Sequence, residues 1–208
     1  MTAARGRTGR PPLTDERKAV IRLEIAHAAV GLFITQGVAA TTGEQIGQAV
    51  GISARTLWRY FPTKESCVRP LFSTGIDTIA AALRQWCPGR PLQEAFDHVW
   101  AGDEDLTGPD VGALLRLTRT EPGLRAVWLQ TRDEAEPAFA RALAERAGLP
   151  DDDVRPAIWA AMLNAALRAA LEHHAYRSAE PDYGPAPARA DLAATLRTAL
   201  VLTEAGLI

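Results

Sequence analysis

The chain predicts an all-α fold, on three observations. Apolar residues recur at helical spacing along nearly its whole length, alanine occurs 39 times, and no run of five or more residues alternates β-branched with polar side chains as a strand would. With 208 residues, 47% of them hydrophobic, the chain can bury a sizeable core of one to two domains, which excludes disorder as its main state.

Residues 1–12 are expected to form a flexible basic arm: they hold Arg5, Arg7 and Arg10, no acid, and end in Pro11-Pro12. Thr14 is the expected N-cap of the first helix, with Asp15 and Glu16 stabilised in its positive first turn. Ile21, Ile25, Ala28, Ala29, Leu32 and Phe33 mark its buried stripe, and Gly37 ends it. A second helix is expected over 42–50, where Thr42 and Gln45 stand at capping-box spacing, and a third over 54–61, capped by Ser53 and stopped by Pro62-Thr63. Further helical segments fall at 64–86, 91–101, 110–120, 122–147, 153–176 and 188–206, with a loop at 178–187. Pro70 and Pro137 lie inside two of these segments, so each predicts a kink or a break. The division that results is the arm 1–12, a three-helix head over 13–63 and a larger helical body over 64–208.

Several function classes lose support. The longest apolar stretch, 159–171, is broken by Asn164 and Arg168 and falls short of the roughly 18 residues of a membrane span. The N-terminal arginines are not followed by the apolar core of a signal peptide, so a cytoplasmic location is expected. Cys67 and Cys87 cannot build a disulfide scaffold or a four-ligand zinc site, and on one helix they would lie roughly 30 Å apart, so they read as reduced thiols. There is no G-x-S-x-G, H-E-x-x-H or glycine-rich phosphate loop to support an enzyme. Asp103-Glu104-Asp105 and Asp151-Asp152-Asp153 could hold a hard cation, but such clusters more often sit in loops or cap helices, and His173-His174 do not share a helical face; no metal and no cofactor are expected.

The charge is divided unequally. Residues 1–66 hold nine Lys or Arg against five acids, net +4, while the remainder is net -6, so the head alone suits a polyanion. Within the head, residues 43–60 form two short helices around a glycine turn, with Ile46, Val50, Ile52, Leu57 and Tyr60 as apolar positions, Gly47 allowing a close crossing and Gly51 the turn. This is the helix-turn-helix pattern, whose second helix enters the major groove. Its outer face carries Arg55, Thr56, Trp58 and Arg59, a density of donors that a core helix lacks, and Thr42, Tyr60 and Lys64 are donors suited to phosphate oxygens. The bland reading is two helices of a larger bundle, with Thr42 a simple cap, Tyr60 half-core and Lys64 a solvated charge.

Residues 33–65, FITQGVAATTGEQIGQAVGISARTLWRYFPTKE, resemble the TetR family of bacterial transcriptional regulators, through the Gly37 stop, the Thr41-Thr42 opening, the Gly51 turn and the Tyr60-Phe61-Pro62-Thr63-Lys64-Glu65 close. The resemblance implies a homodimeric regulator, commonly a repressor, that binds a palindromic DNA operator through two such heads and is released by a small molecule bound in the body. By position it implies Ala54, Arg55, Trp58 and Arg59 as the base-reading face and Thr42, Thr56, Tyr60 and Lys64 as phosphate contacts. Trp58 stands where the family often has tyrosine, and would meet either a thymine methyl or a backbone sugar.

A dimer also follows from geometry, because two recognition helices must sit about 34–36 Å apart to enter successive major grooves. Trp159, Met162, Ala166 and Ala170 on one late helix, and Leu192, Leu196, Ala199 and Leu200 on the last, form stripes that would pair across a two-fold axis or else close the monomer's own core. For the effector, Phe96, Trp100, Leu115 and Trp128, with His98 and Asn164 as polar groups, are candidate pocket residues that would suit a small, mostly apolar molecule; as ordinary core they need no ligand. A hinge at Pro70 would couple the pocket to the head. The competing functions are a helical small-molecule-binding enzyme and a DNA-binding protein that needs no ligand.

Overall fold

The computed structural model describes residues 14–96, 109–150, 152–177 and 185–205, and every regular element among them is helical. The head comprises α1 (Asp15–Gln36), α2 (Gly43–Ala49) and α3 (Ala54–Tyr60). A 3₁₀ turn (Glu65–Val68) leads into α4 (Arg69–Gln85), and a second one (Leu92–Phe96) follows it. The body continues with α5 (Pro109–Leu117), α6 (Pro122–Ala147), α7 (Arg155–Arg177) and α8 (Pro185–Glu204).

The expected helix signals operate in the structure. Thr14 accepts from the Arg17 amide, Ser53 accepts from the Thr56 amide, and Thr42 with Gln45 makes a reciprocal capping box at 3.3 and 2.8 Å. Each such cap is worth about 1 kcal/mol, which matters most for α2 and α3, both too short to stand alone. Gly51 adopts φ +71°, which an L side chain rarely takes, so the chain can turn sharply between them.

Three details differ from the sequence reading. The buried side of α1 is Ile25, Ala26, Ala29, Val30 and Phe33, with Ile21, Ala28 and Leu32 half-buried at its edge. The face is rotated because the Glu65–Val68 turn and α5 also pack on this helix, a constraint that periodicity cannot contain. The segment 64–86 splits, and Pro70 falls in the first turn of α4, where no intrahelical donor is required. Pro70 therefore opens α4 instead of interrupting it. Helix α6 runs through Pro137 without a break. Both Pro137 and Asp133, whose carbonyl loses its donor, are exposed, so water can satisfy that oxygen.

Two clusters form the core. One gathers Ile25, Phe33, Ile46 and Leu57 of the head with Cys67, Leu71 and Phe72, and also with Leu114, Leu124 and Trp128 of the body helices. The other lies wholly in the body around Leu83, Phe139, Leu163 and Leu196. Among the described helices α1 is the one long and apolar enough, by length and composition, to cross a membrane; its apolar side is taken up by the first cluster.

For α7 and α8 the monomer's own core uses most of the two stripes. Ala170, Leu192, Leu196, Ala199 and Leu200 are buried within the single chain, and Trp159 and Ala166 are half-buried against the same cluster. Met162 alone of those residues is exposed, at 37%. The surfaces that remain uncovered lie about one helical position away: Ile158, Met162, Ala165 and Ala169 on α7, and Ala194, Thr198, Val201 and Leu202 on α8.

Candidate nucleic-acid interface and internal cavity

Helix α3 is held by Leu57, which is fully buried, and by the close approach of α2. A Cβ on Gly47 would lie 2.7 Å from the Ile52 carbonyl oxygen, so only glycine lets α2 come this near the turn, and the Ile52 amide donates to the Gly47 carbonyl at 2.8 Å. With Leu57 inward, Arg55 and Arg59 face solvent and Trp58 keeps 42% of its surface exposed, while Ala54 is half-buried. The Arg59 guanidinium lies 5.6 Å from the Tyr60 ring centre, a cation–π arrangement that leaves its donors outward. Trp58 also packs across Gly43, where an added Cβ would fall 2.0 Å from the indole Cζ2.

The other expected contacts divide. Thr42 is exposed beside its capping box, Tyr60 is half-buried against the head core, and the Thr56 hydroxyl is 3.0 Å from that of Ser53. Lys64, expected as a phosphate contact, makes its hydrogen bonds within the head. Its half-buried Nζ donates to the carbonyl oxygens of Val38 at 2.6 Å and Thr41 at 3.0 Å, and reaches that of Ala39 at 3.5 Å. These oxygens belong to the loop after α1, where the Val38 carbonyl also accepts from the Thr41 amide at 3.3 Å, and one lysine can donate to several at once. Gln36 reinforces the same loop through Thr41 and Gln45.

Behind the head, a cavity is walled by Leu71, Phe72 and Ile76 of α4, Leu115 of α5, Trp128 and Arg132 of α6, Leu167 and Leu171 of α7, and Leu192 and Leu196 of α8. Its free volume for a water-sized sphere is about 40 Å³, far below the roughly 300 Å³ that a small-molecule site requires, so a ligand must part these helices to enter. Trp128 stands at the junction of the two cores. Its ring is 4.7 Å from that of Phe72, and its indole N–H donates to Glu172 at 2.9 Å. Glu172 also pairs with Arg168 at 3.3 Å and Arg125 at 3.7 Å.

The sequence matches known proteins at both ends of this arrangement. Residues 25–71 match the family described as bacterial regulatory proteins, tetR family, and residues 109–207 match the MftR C-terminal domain. The HTH-type transcriptional regulator TcmR of Streptomyces glaucescens is 35% identical over 168 residues, which cover 76% of this chain and 74% of that protein. The chain belongs to the TetR family of bacterial regulatory proteins.

It is thus a DNA-binding transcription regulator with a helix-turn-helix head. Solved structures agree on the fold. Salmonella enterica GusR superposes with a TM-score of 0.51 at 20% identity, covering 92% of this chain and 97% of its own. Thermus thermophilus FadR, a TetR-family repressor solved in complex with lauroyl-CoA, gives 0.50 at 24% identity, with 90% and 95% covered.

Of the candidate pocket residues in this TetR-family chain, Leu115 and Trp128 line the cavity. Phe96 is fully buried in the body core and His98 and Trp100 lie outside the described residues. Asn164 bridges α6 and α7 instead, its amide donating to the Arg132 carbonyl at 3.0 Å and to Glu136 at 2.8 Å. The residue that sequence reading missed is Arg132, 3% exposed on the cavity wall. Its spacing of four from Trp128 on the apolar face of α6 was the available signal. The aspartate clusters Asp103-Glu104-Asp105 and, in part, Asp151-Asp152-Asp153 lie outside the described residues, while Asp153 accepts from the Arg155 amide at 2.8 Å and caps α7.

Proposed function

We propose that this TetR-family regulator is a cytoplasmic, ligand-responsive repressor that binds a palindromic operator as a homodimer and is released by a small, mostly apolar effector. The observation that carries ligand response is that Leu71 and Phe72 belong at once to the head's core and to the cavity wall. An effector that parts α4 from Trp128 must move the element on which the head rests, so its binding and DNA binding are coupled. Arg69 of α4 also pairs with Glu134 of α6, and Glu65 covers Gly123 at the start of α6, which makes this junction a defined packing arrangement.

On DNA, α3 lies in the major groove with Ala54, Arg55, Trp58 and Arg59 toward the bases, and Thr42, Thr56 and Tyr60 toward phosphates. Lys64 supports them by fixing the loop that positions Thr42. The dimer forms through the exposed apolar and small residues of α7 and α8, Ile158 and Met162 facing Val201 and Leu202 across the two-fold axis, which extends the body into a four-helix bundle.

Selection of duplexes from a random pool, with native mass spectrometry of the bound species, tests this reading. A palindrome held by two or four chains is the expected result, and that operator then serves to screen effectors by release. No enrichment at low salt overturns the head assignment, and an operator that no small molecule releases favours a ligand-independent regulator.

A further inference from the structure

Arg132 is a buried cation, 3% exposed, that forms no ion pair among the described residues. Its Nη2 donates to the Asn164 carbonyl oxygen at 3.0 Å, its guanidinium lies 5.3 Å from the Trp128 ring centre, and its Nε has no hydrogen-bond partner among the described residues. Burial, with Arg168 nearby, pushes its pKa down to about 10, so it remains protonated at neutral pH. The carboxylates that it feels are Glu136 and Glu172, and neither hydrogen-bonds to it: Glu136 accepts from Asn164, and Glu172 accepts from Trp128 and pairs with Arg125 and Arg168. Arg132 thus sits on the cavity wall with no carboxylate in direct contact with its guanidinium among the described residues. A desolvated, incompletely bonded cation is costly to keep in an otherwise apolar wall.

We infer that the effector is an amphiphilic anion, with an apolar body seated against Phe72, Leu115 and Trp128 and an anionic oxygen head group, a carboxylate or ionised phenol, paired with Arg132. The inference rests on the cavity being the effector site. An incoming oxyanion would accept from the orphaned Nε and supply the direct ion pair that neither Glu136 nor Glu172 makes, the charge-assisted geometry at which arginine excels. Charge complementarity thereby selects an acid over a neutral or cationic molecule of equal shape, since either would leave Arg132 buried and unpaired.

Calorimetric titration of the full chain with 2-naphthoate and with 2-naphthamide, the same shape without charge, tests this. The acid should bind at least ten-fold more tightly, and Arg132→Met should bring the ratio close to one while still binding the amide. Arg132→Gln, which keeps a donor but no charge, should behave likewise and serves if the methionine variant does not fold. Equal affinities in the wild type, or a preference that persists in either folded variant, overturns the inference while leaving the cavity in place. Failure of both probes to bind the wild type at millimolar concentration overturns the cavity reading and this inference with it.

Discussion

The six-membered ring of Trp58 occupies the space that a side chain at position 43 would need: a Cβ on Gly43 would lie 2.0 Å from Cζ2 and 2.5 Å from Cη2. A glycine at the first position of α2 weakens a helix of seven residues, so its presence is best understood as the partner of a large aromatic on α3. The pair sets how far the indole projects from the head.

Because Trp58 is half-exposed and can swing, Gly43→Ala should displace the indole without unfolding the head. Operator affinity should fall by about 1–3 kcal/mol in Gly43→Ala, and by much less when the same change is made in a Trp58→Ala background. Gel-shift titration of the four proteins measures the coupling, and additive losses would separate the two residues.

Arg55 and Lys64 should part company. Arg55→Ala leaves the melting temperature unchanged, since the side chain is exposed, and relaxes preference at one base position per half-site by about 1–3 kcal/mol if the contact is bidentate. Lys64→Ala removes the donor that ties the carbonyls of Val38 and Thr41 to the residue before the 3₁₀ turn and should cost about 2 kcal/mol, or roughly 4–8 °C in melting temperature, weakening all DNA sequences alike through the loosened loop. Scanning calorimetry distinguishes this from a phosphate contact, whose loss would lower the salt slope by roughly 0.9 at constant stability.

The exposed stripe of α7 and α8 gives a prediction about assembly. Ile158→Asp, at a position 50% exposed in the single chain, and Leu202→Asp, at 69%, should yield folded monomers by sedimentation that bind the palindrome far more weakly than wild type. Leu196→Asp, a change in the monomer's own core, should instead abolish folding, so circular dichroism separates interface from core.

The two thiols should differ sharply in reactivity. Cys67 is buried, and desolvation raises its pKa to about 12, so the unreactive protonated thiol persists through neutral and mildly alkaline pH; Cys87 is exposed. One equivalent of a thiol-reactive dye should label the native protein at pH 8, and the second only after denaturation.

Which of these relationships sequence alone could supply depends on their range. Caps, turns and helix order were legible because each is decided within a few residues: Thr14, Thr42 with Gln45, Ser53 and Gly51 act on their own neighbours. The outward face of α3 was legible for the same reason, since burying Leu57 fixes where Arg55, Trp58 and Arg59 point. Contacts across the chain were not. Lys64 reaches 26 residues back to Val38, Arg132 reaches 32 forward to Asn164, and neither separation leaves a periodic trace. The stripes on α7 and α8 show the limit most plainly, because amphipathicity marks which side of a helix is apolar but not whether the monomer or a second copy covers it. Sequence determined the helices and the reading head; only tertiary packing decided which apolar face closes the core and where the Arg132 guanidinium is buried.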